Sequence, residues 1–214
     1  NAEFIFLLCG DGIMKIPVYE PILNEGNERK YLNQCIEKNW VSSDGYFVQK
    51  FEEEFAKWSR NKYAIAVCNG TAALETTGWA LFGFRKTGNI ALRPSTIISC
   101  ANAFLRLGLE LYFSDLNKDY FFTDDTLGIL VVHLFGQYLK MNNLSPITII
   151  DDASQYWKPF KVKDVACYSL YANKLITSGE GGVIITNRKD IYERAKSYRN
   201  LCHSKERFVH NDIG

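Results

Sequence analysis

The feature that most constrains the fold is a regular alternation, from about residue 63 onward, of short apolar runs with helical segments. The apolar runs are YAIAVC (63–68), NIALR (89–93), LELYF (109–113), GILVVHLF (128–135), ITIID (147–151), VACYSLY (165–171) and GGVIIT (181–186). Helical patterns lie between several of them, and a closing helix is expected at about 189–199. Continuous apolar strands that alternate with helices are typical of a parallel sheet buried on both faces. The pattern therefore predicts an α/β, three-layer fold with a mostly parallel central sheet.

Two helices are expected before the first of these strands. The segment 26–39 groups its apolar residues on one face, namely Tyr31, Leu32, Cys35 and Ile36. The next segment repeats apolar residues at helical spacing, namely Phe47, Phe51, Phe55 and Trp58. Glu52, Glu53 and Glu54 lie off that apolar stripe. We therefore expect these three carboxylates to form a solvated face and to take no part in catalysis.

Composition excludes several classes of protein. Hydrophobic residues make up 47% and charged residues 23% of the 214 residues, and the net charge is +1. These values are ordinary for a globular protein and give no basic patch for nucleic acid or membranes. The apolar run at 4–9 is too short to span a bilayer. Six scattered cysteines without a CxxC pair predict reduced thiols in a cytoplasmic protein, with neither a disulfide frame nor a zinc site.

Both ends of the chain suggest a boundary. Met14 opens the segment MKIPVYEP, so residues 1–13 are interpreted as an extraneous or upstream segment and residues 14–214 as the domain proper. The chain stops at HNDIG without an obvious terminating structure.

The first candidate site lies directly after the strand at 63–68. Asn69 and Gly70 are expected to form a turn, and Thr71 to start a helix. This arrangement would offer free backbone N–H groups, a hydroxyl and a helix dipole, which together can hold a phosphate. The alternative is an ordinary Thr71 N-cap after a tight turn.

A pair of acids ends the strand at 147–151. Asp151 and Asp152 are adjacent on a strand, so their side chains must point to opposite faces and cannot act as an acid/base pair. One of them can face the ligand crevice and hold a cationic ring nitrogen. The alternative is a helix cap or a salt bridge.

One lysine follows the strand at 165–171. Lys174 comes five residues after Ser169 and precedes a run of small residues that contains Gly179, Gly181 and Gly182. A lysine held in such a confined place can attack a carbonyl group to form a Schiff base. The alternative is a solvent-exposed lysine.

Taken together, the three candidate sites indicate one ligand. Ligands of parallel sheets bind at the carboxyl ends of the strands, where all three would lie. A phosphate cradle, a carboxylate and a lysine match the phosphate, the ring nitrogen and the aldehyde of pyridoxal 5′-phosphate.

The motifs that carry these residues also resemble a known family. NWVSSDGYFVQKFEEEFA, CNGTAAL, VVHLFGQ, IIDDASQ and YSLYANKLITSGEGGVIITN resemble, in order, blocks of the DegT/DnrJ/StrS sugar-nucleotide aminotransferases. These are fold-type I enzymes that depend on pyridoxal 5′-phosphate. The resemblance runs from about Ile16 to Gly214, so it implies that the chain is the large domain of such an enzyme.

The resemblance implies a role for each matching position. Lys174 would be the Schiff-base lysine, Asp152 would face the pyridine nitrogen, and Gln155 would lie beside the ring. The cofactor phosphate would be held by Gly70, Thr71 and Ser169. His133 falls at a structural position of its block and is interpreted as a core or turn histidine.

The resemblance also implies the reaction. Glutamate would donate the amino group, and a nucleotide-linked keto sugar, of the 4-keto-6-deoxy kind, would receive it. A related branch carries His instead of this lysine and dehydrates sugars, so Lys174 favours transamination. A truncated, non-catalytic remnant and a sugar dehydratase remain as alternatives. Partners would be the nucleotide sugar, glutamate and, in the full-length protein, a second subunit in a homodimer.

Three departures from the family pattern accompany the resemblance. Ile97 falls where the family places an aromatic residue over the cofactor ring, so weaker cofactor affinity is expected. The segment from Phe113 to Phe135 has hardly room for the helix that the family places there, so a compact connection or a changed sheet face is expected. Relatives continue past the last residue into an Asn-bearing segment and a small domain, so the C-terminal domain is expected to be absent from this chain.

Overall fold

The structure is a computed structural model of the chain. This structure describes residues 4–9, 12–17, 20–23, 25–40, 42–84, 87–114, 123–141, 146–203, 209–210 and 212. The short connection predicted between Phe113 and Phe135 falls mainly on residues 115–122, outside the described residues.

The described elements follow the predicted alternation of strands and helices. The strands are β1 (Phe4–Cys9), β2 (Gly12–Pro17), β3 (Tyr63–Val67), β4 (Asn89–Leu92), β5 (Glu110–Phe113), β6 (Thr126–Val132), β7 (Thr148–Asp152), β8 (Val165–Ser169) and β9 (Gly182–Thr186). The helices are α1 (Glu28–Glu37), α2 (Tyr46–Ser59), α3 (Gly70–Phe82), α4 (Ile98–Leu105) and α5 (Lys189–Arg199), and a 3₁₀ turn spans Leu134–Gly136.

A seven-stranded sheet forms the centre, with the strand order β3-β9-β8-β7-β6-β4-β5. Strand β9 runs antiparallel to both of its neighbours, β3 and β8. The other neighbouring strands pair in parallel. The predicted mostly parallel sheet is therefore confirmed.

Helices cover both faces of this sheet. On one face, buried side chains of α3, α4 and α5 pack with those of the strands, among them Leu74, Phe104, Ile150, Ile184 and Ile191. On the other face, α2 contributes Phe55 and Ala56 to a cluster that contains Ala64, Tyr168 and Ile185. Strand β8 packs on both layers: Cys167 belongs to the first cluster and Tyr168 to the second. This follows because successive side chains of a strand point to opposite faces of the sheet. The predicted three-layer fold is therefore confirmed.

Glu52 is buried, which corrects the expectation that it belongs to a solvated face. Its side chain is 10% exposed and pairs with the Arg199 guanidinium, which comes from α5. The Glu52 carboxylate accepts the Ala66 N–H at 2.9 Å, and Arg199 donates to the Ala66 carbonyl at 3.2 Å. Ala66 lies on β3, the edge strand, whose outward N–H and C=O groups need partners. Glu53 and Glu54 are exposed as expected.

The N-terminal part begins with a hairpin and a helix. Strands β1 and β2 pair antiparallel, with Leu7 opposite Met14, so the boundary expected before residue 14 lies within β2. The division of the chain at residue 14 stays a prediction. Helix α1 forms near its expected position, and its apolar face is covered only in part. Tyr31 packs on Phe47 of α2, with ring centroids 5.2 Å apart. Leu32 is 64% and Ile36 68% exposed.

Candidate active site

A cleft of about 390 Å³ opens where β3, β7 and β8 end and β9 begins. It brings together six of the seven residues that the sequence analysis selected, namely Gly70, Thr71, Ile97, Asp152, Ser169 and Lys174. Further residues line it, namely Asn69, Leu74, Ser99, Ser154, Tyr171, Asn173 and Glu180. Ligands of α/β sheets bind in such a crevice.

Asn69 caps helix α3 at the edge of this cleft. Its backbone is extended, and its side-chain oxygen accepts the Ala72 N–H at 2.8 Å. The helix therefore begins at Gly70, and the alternative of a Thr71 N-cap is wrong. Because Asn69 takes the capping role, the Thr71 side chain stays free to face a ligand. Within the described part of the chain, neither the hydroxyl nor the N–H of Thr71 has a hydrogen-bond partner.

Gly70 and Ser169 lie in close contact across the cleft wall. A β-carbon at position 70 would stand 2.8 Å from the Ser169 β-carbon, so only glycine fits there. Ser169 is 7% exposed, and its hydroxyl oxygen accepts the Tyr171 N–H at 3.3 Å. The hydroxyl proton of Ser169 remains available for an acceptor in the cleft. With the start of α3, these groups form a cradle for an anion.

The two adjacent acids separate as strand geometry requires. Asp152 lines the cleft and is 4% exposed. Its Oδ1 accepts the Ser154 N–H at 2.9 Å, and its Oδ2 accepts the Cys100 thiol proton at 3.0 Å. The carboxylate is therefore fixed through both oxygens at the floor of the cleft.

Asp151 lies on the opposite face of the sheet, paired with His133. Its Oδ1 is 3.0 Å from His133 Nε2, and His133 Nδ1 accepts the Leu139 N–H at 3.1 Å. Because Nδ1 accepts, Nε2 carries the proton that is donated to Asp151. Burial raises the pKa of the Asp151 carboxyl, and the hydrogen bond from His133 opposes that rise. His133 is fully buried, which agrees with the interpretation as a core histidine.

Lys174 sits in the turn that follows β8. Its backbone N–H donates to the Tyr171 carbonyl at 2.9 Å, and its side chain is half-buried. Its ammonium group forms no ion pair or hydrogen bond with the described residues. A half-buried amine without a partner, facing a cleft, is available to react with a ligand.

The glycines after Lys174 let the chain turn back toward the sheet. Gly179 and Gly181 have φ values of 82° and 149°, which side chains rarely adopt. A β-carbon on Gly182 would stand 2.2 Å from the Asn69 carbonyl oxygen. The small residues in this stretch are therefore explained by close backbone turns.

Gln155 lies beside the cleft but does not line it. Its side-chain oxygen accepts the Phe135 N–H at 2.9 Å and so holds the 3₁₀ turn. Phe135 adopts a positive φ of 56° there. The place beside the cofactor ring that the family resemblance implies for Gln155 stays a prediction.

The sequence did not single out Ser154 and Tyr171, which line the cleft, or the buried Cys100 behind it. Ser154 and Tyr171 lie two residues after the ends of β7 and β8, so their positions indicated the cleft. Asn69 was expected only in the turn before α3, not as the cap of that helix. Nothing in the sequence indicated Cys100, because a cysteine inside an apolar helix has the pattern of an ordinary core residue.

The residues of the cleft fit the groups of pyridoxal 5′-phosphate. The cradle at Gly70, Thr71 and Ser169 suits a phosphate, the fixed Asp152 carboxylate suits a protonated ring nitrogen, and the Lys174 amine suits the aldehyde. In the described ranges, no cluster of His, Cys, Asp and Glu is arranged to hold a metal ion. Five cysteines, Cys35, Cys68, Cys100, Cys167 and Cys202, are free thiols. No described helix is long and apolar enough to cross a membrane.

The chain is similar to known proteins over most of its length. The family described as DegT/DnrJ/EryC1/StrS aminotransferase matches residues 23–214. GDP-perosamine synthase from Escherichia coli O157:H7 is 32% identical over 92% of this chain and 60% of its own length. The synthase of that name from Vibrio cholerae is 32% identical over 86% of this chain and 56% of its own length.

The fold has solved counterparts as well. The aminotransferase PseC of Helicobacter pylori, involved in the biosynthesis of pseudoaminic acid, superposes with a TM-score of 0.82 at 22% identity. The match covers 91% of this chain and 59% of that protein. The chain thus spans a little over half the length of the relatives it matches.

Proposed function

The chain belongs to the DegT/DnrJ/EryC1/StrS aminotransferase family, and from this premise we propose that it forms the cofactor-binding part of a sugar-nucleotide aminotransferase. The cofactor of this family is pyridoxal 5′-phosphate. The proposed acceptor is a nucleotide-linked keto sugar, of the 4-keto-6-deoxy kind, and the proposed donor is glutamate. The reaction moves the amino group of glutamate to the sugar carbonyl carbon and releases 2-oxoglutarate.

One observation carries the proposal: Lys174, Asp152 and the anion cradle of Thr71 and Ser169 face one cleft. A lone lysine, acid or helix start would be unremarkable on a protein surface. Their meeting at the carboxyl ends of the strands, with one partner for each reactive part of a single cofactor, supports a site for that cofactor.

Each residue has a distinct task in the proposed reaction. The cofactor, when bound, supplies an electron-withdrawing ring that lets a C–H bond next to nitrogen lose its proton. Thr71 and Ser169 would anchor the phosphate with N–H and O–H donors. Asp152, fixed through both oxygens, would keep a proton on the ring nitrogen because its negative charge stabilises the cation. Lys174 would bind the aldehyde carbon and then carry the proton between donor and acceptor carbons.

The substrate class rests on the relatives. Two of them, at 32% identity, bear the name GDP-perosamine synthase, which supports a nucleotide-linked sugar as the substrate. Transfer of an amino group to a sugar requires a keto group at the carbon that receives it. Lys174 supports transamination over dehydration, since the dehydrating branch of the family carries histidine there. The homodimer is proposed for the full-length protein.

The test follows the first half of the reaction. Wild-type chain loaded with pyridoxal 5′-phosphate is mixed with glutamate, and 2-oxoglutarate is measured together with the visible spectrum. The expected result is about one equivalent of 2-oxoglutarate per site, and further turnover once a nucleotide-linked 4-keto sugar is added. Lys189→Ala, which removes a lysine that is 73% exposed, should behave like wild type, whereas Lys174→Ala should form no product. Absence of 2-oxoglutarate from loaded wild type would contradict the proposal.

A further inference from the structure

We propose that Cys100 is a positioning residue for Asp152: its thiol holds the carboxylate in the orientation that meets a protonated ring nitrogen, and leaves most of the negative charge on that carboxylate. The inference rests on the proposed function and deepens it. It assigns a task to a buried cysteine that does not itself line the cleft.

The geometry restricts the Asp152 carboxylate from two sides. Cys100 Sγ lies 3.0 Å from Oδ2, while the Ser154 N–H lies 2.9 Å from Oδ1. With a donor on each oxygen, rotation about the terminal torsion of Asp152 would break at least one hydrogen bond. Cys100 is fully buried and Asp152 is 4% exposed, so water cannot easily replace a lost donor.

In this contact the Cys100 thiol can act only as a hydrogen-bond donor. Burial raises the pKa of the Cys100 thiol to about 12, and the negative charge of Asp152 adds to the rise. The proton therefore stays on sulfur, and Cys100 acts as a donor throughout the physiological range. Since S–H is a weak donor, it withdraws less charge from the carboxylate than a hydroxyl would. Asp152 is thus oriented while keeping its attraction for a cation.

Helix α4 joins this contact to the wall of the cleft. The Cys100 N–H donates to the Ile97 carbonyl at 2.9 Å, so the two residues share the first turn of the helix. Ile97 lines the cleft, whereas Cys100 points to its floor. A single helical turn therefore carries both the proposed cover of the ring and the donor that fixes the carboxylate beneath it.

The chain offers a matched control. Cys167 is also fully buried, but its hydrogen-bond partner is the Thr77 hydroxyl, 3.3 Å from Sγ, and not the Asp152 carboxylate. Cys100→Ala and Cys167→Ala therefore remove the same atom from equally buried sites. Only the first variant removes a donor from the carboxylate.

The contact itself is tested without cofactor, by the S–H stretching band in the infrared spectrum. The band that disappears in Cys100→Ala belongs to Cys100. In Asp152→Asn this band should move to higher frequency, because the amide offers a weaker acceptor or turns its NH₂ group toward the thiol. A Cys100 band that does not move in Asp152→Asn would overturn the proposal, whether or not the chain binds the cofactor.

The consequence is tested with the loaded chain. Cys100→Ala should bind pyridoxal 5′-phosphate about fivefold more weakly and change the pH dependence of its visible absorbance. Cys100→Ser keeps a donor on the carboxylate, although a stronger one, and should recover part of the affinity that Cys100→Ala loses. Cys167→Ala should match wild type in both measurements. Equal effects of the two alanine variants would overturn the proposal. If wild type binds no cofactor, the proposed function fails, while the infrared result still decides the thiol–carboxylate contact.

Discussion

Gly70 stands so close to Ser169 that a β-carbon at position 70 would lie 2.8 Å from that of the serine. The contact joins the start of α3 to the end of β8, and so fixes the width of the anion cradle. Glycine is required at position 70 because of the space available and not because of backbone freedom, since Gly70 does not adopt a positive φ.

Gly70→Ala should widen the cradle and weaken anion binding. We expect at least a tenfold loss of affinity for pyridoxal 5′-phosphate and a loss of about 1–3 kcal/mol in the free energy of unfolding, as for an overpacked core. Equilibrium dialysis and urea unfolding measure the two effects. The control is Gly26→Ala, where the added methyl meets only the flexible Glu28 side chain. Unchanged cofactor affinity in Gly70→Ala would contradict the close-contact explanation.

Glu52→Ala should destabilise the fold without touching the cleft. The substitution leaves the mostly buried Arg199 guanidinium without its carboxylate and the Ala66 N–H without its acceptor. We expect a loss of about 3 kcal/mol in the free energy of unfolding, as when one partner of a buried ion pair is removed. Glu53→Ala, one residue along on the exposed face, should change that free energy by less than about 0.5 kcal/mol. Equal urea midpoints for the two variants would show that Glu52 does not secure the edge strand.

Asp151→Asn should alter how stability depends on pH. Burial raises the pKa of Asp151 in the folded state above its ordinary 3.8, so the folded state holds this proton more tightly than the unfolded state. The stability that Asp151 contributes is therefore complete below the ordinary pKa and is lost as the pH rises through the raised value. Asparagine can still accept from His133 but does not titrate.

Urea unfolding of both proteins across a pH series measures this difference. Relative to Asp151→Asn, wild type should lose stability as the pH rises from about 3.8 through the native pKa of Asp151, and the difference should then level off. A difference that runs the opposite way would mean that the His133 hydrogen bond outweighs burial.

Ile97→Tyr should tighten cofactor binding. Ile97 lines the cleft and is 41% exposed, so a larger ring has room to cover a flat ligand. We expect about a fivefold gain in affinity for pyridoxal 5′-phosphate, corresponding to about 1 kcal/mol of aromatic stacking. Ile98→Tyr is the matched control, because Ile98 is 71% exposed and does not line the cleft. If both variants bind the cofactor equally well, Ile97 does not cover the ring.

Most of the fold could be predicted from the sequence because its signals are local. Strands such as β8, which starts with the apolar run Val165–Ala166–Cys167, indicate a sheet buried on both faces. Asp151 and Asp152 had to separate because neighbouring side chains of a strand alternate between its faces. The cleft followed from the rule that ligands meet parallel strands at their carboxyl ends.

What could not be predicted depends on contacts between distant segments. Glu52 looks like a surface acid in its own helix, and only the open edge of β3 and the guanidinium of Arg199 explain its burial. The proposed task of Cys100 likewise depends on its contact with Asp152, which lies 52 positions away in the chain. The cap of α3 is Asn69 and not Thr71. The sequence alone could not decide between them, because both residue types are favoured at a helix N-cap.

The most direct test of the account is to identify the lysine that binds the cofactor. The wild-type chain is loaded with pyridoxal 5′-phosphate, reduced with borohydride to make the link permanent, digested, and mapped by mass spectrometry. We expect one labelled peptide, carrying the added mass on Lys174, and no label in Lys174→Ala, while Lys189→Ala remains labelled. Label on a different lysine, or equal labelling of wild type and Lys174→Ala, would contradict the central claim.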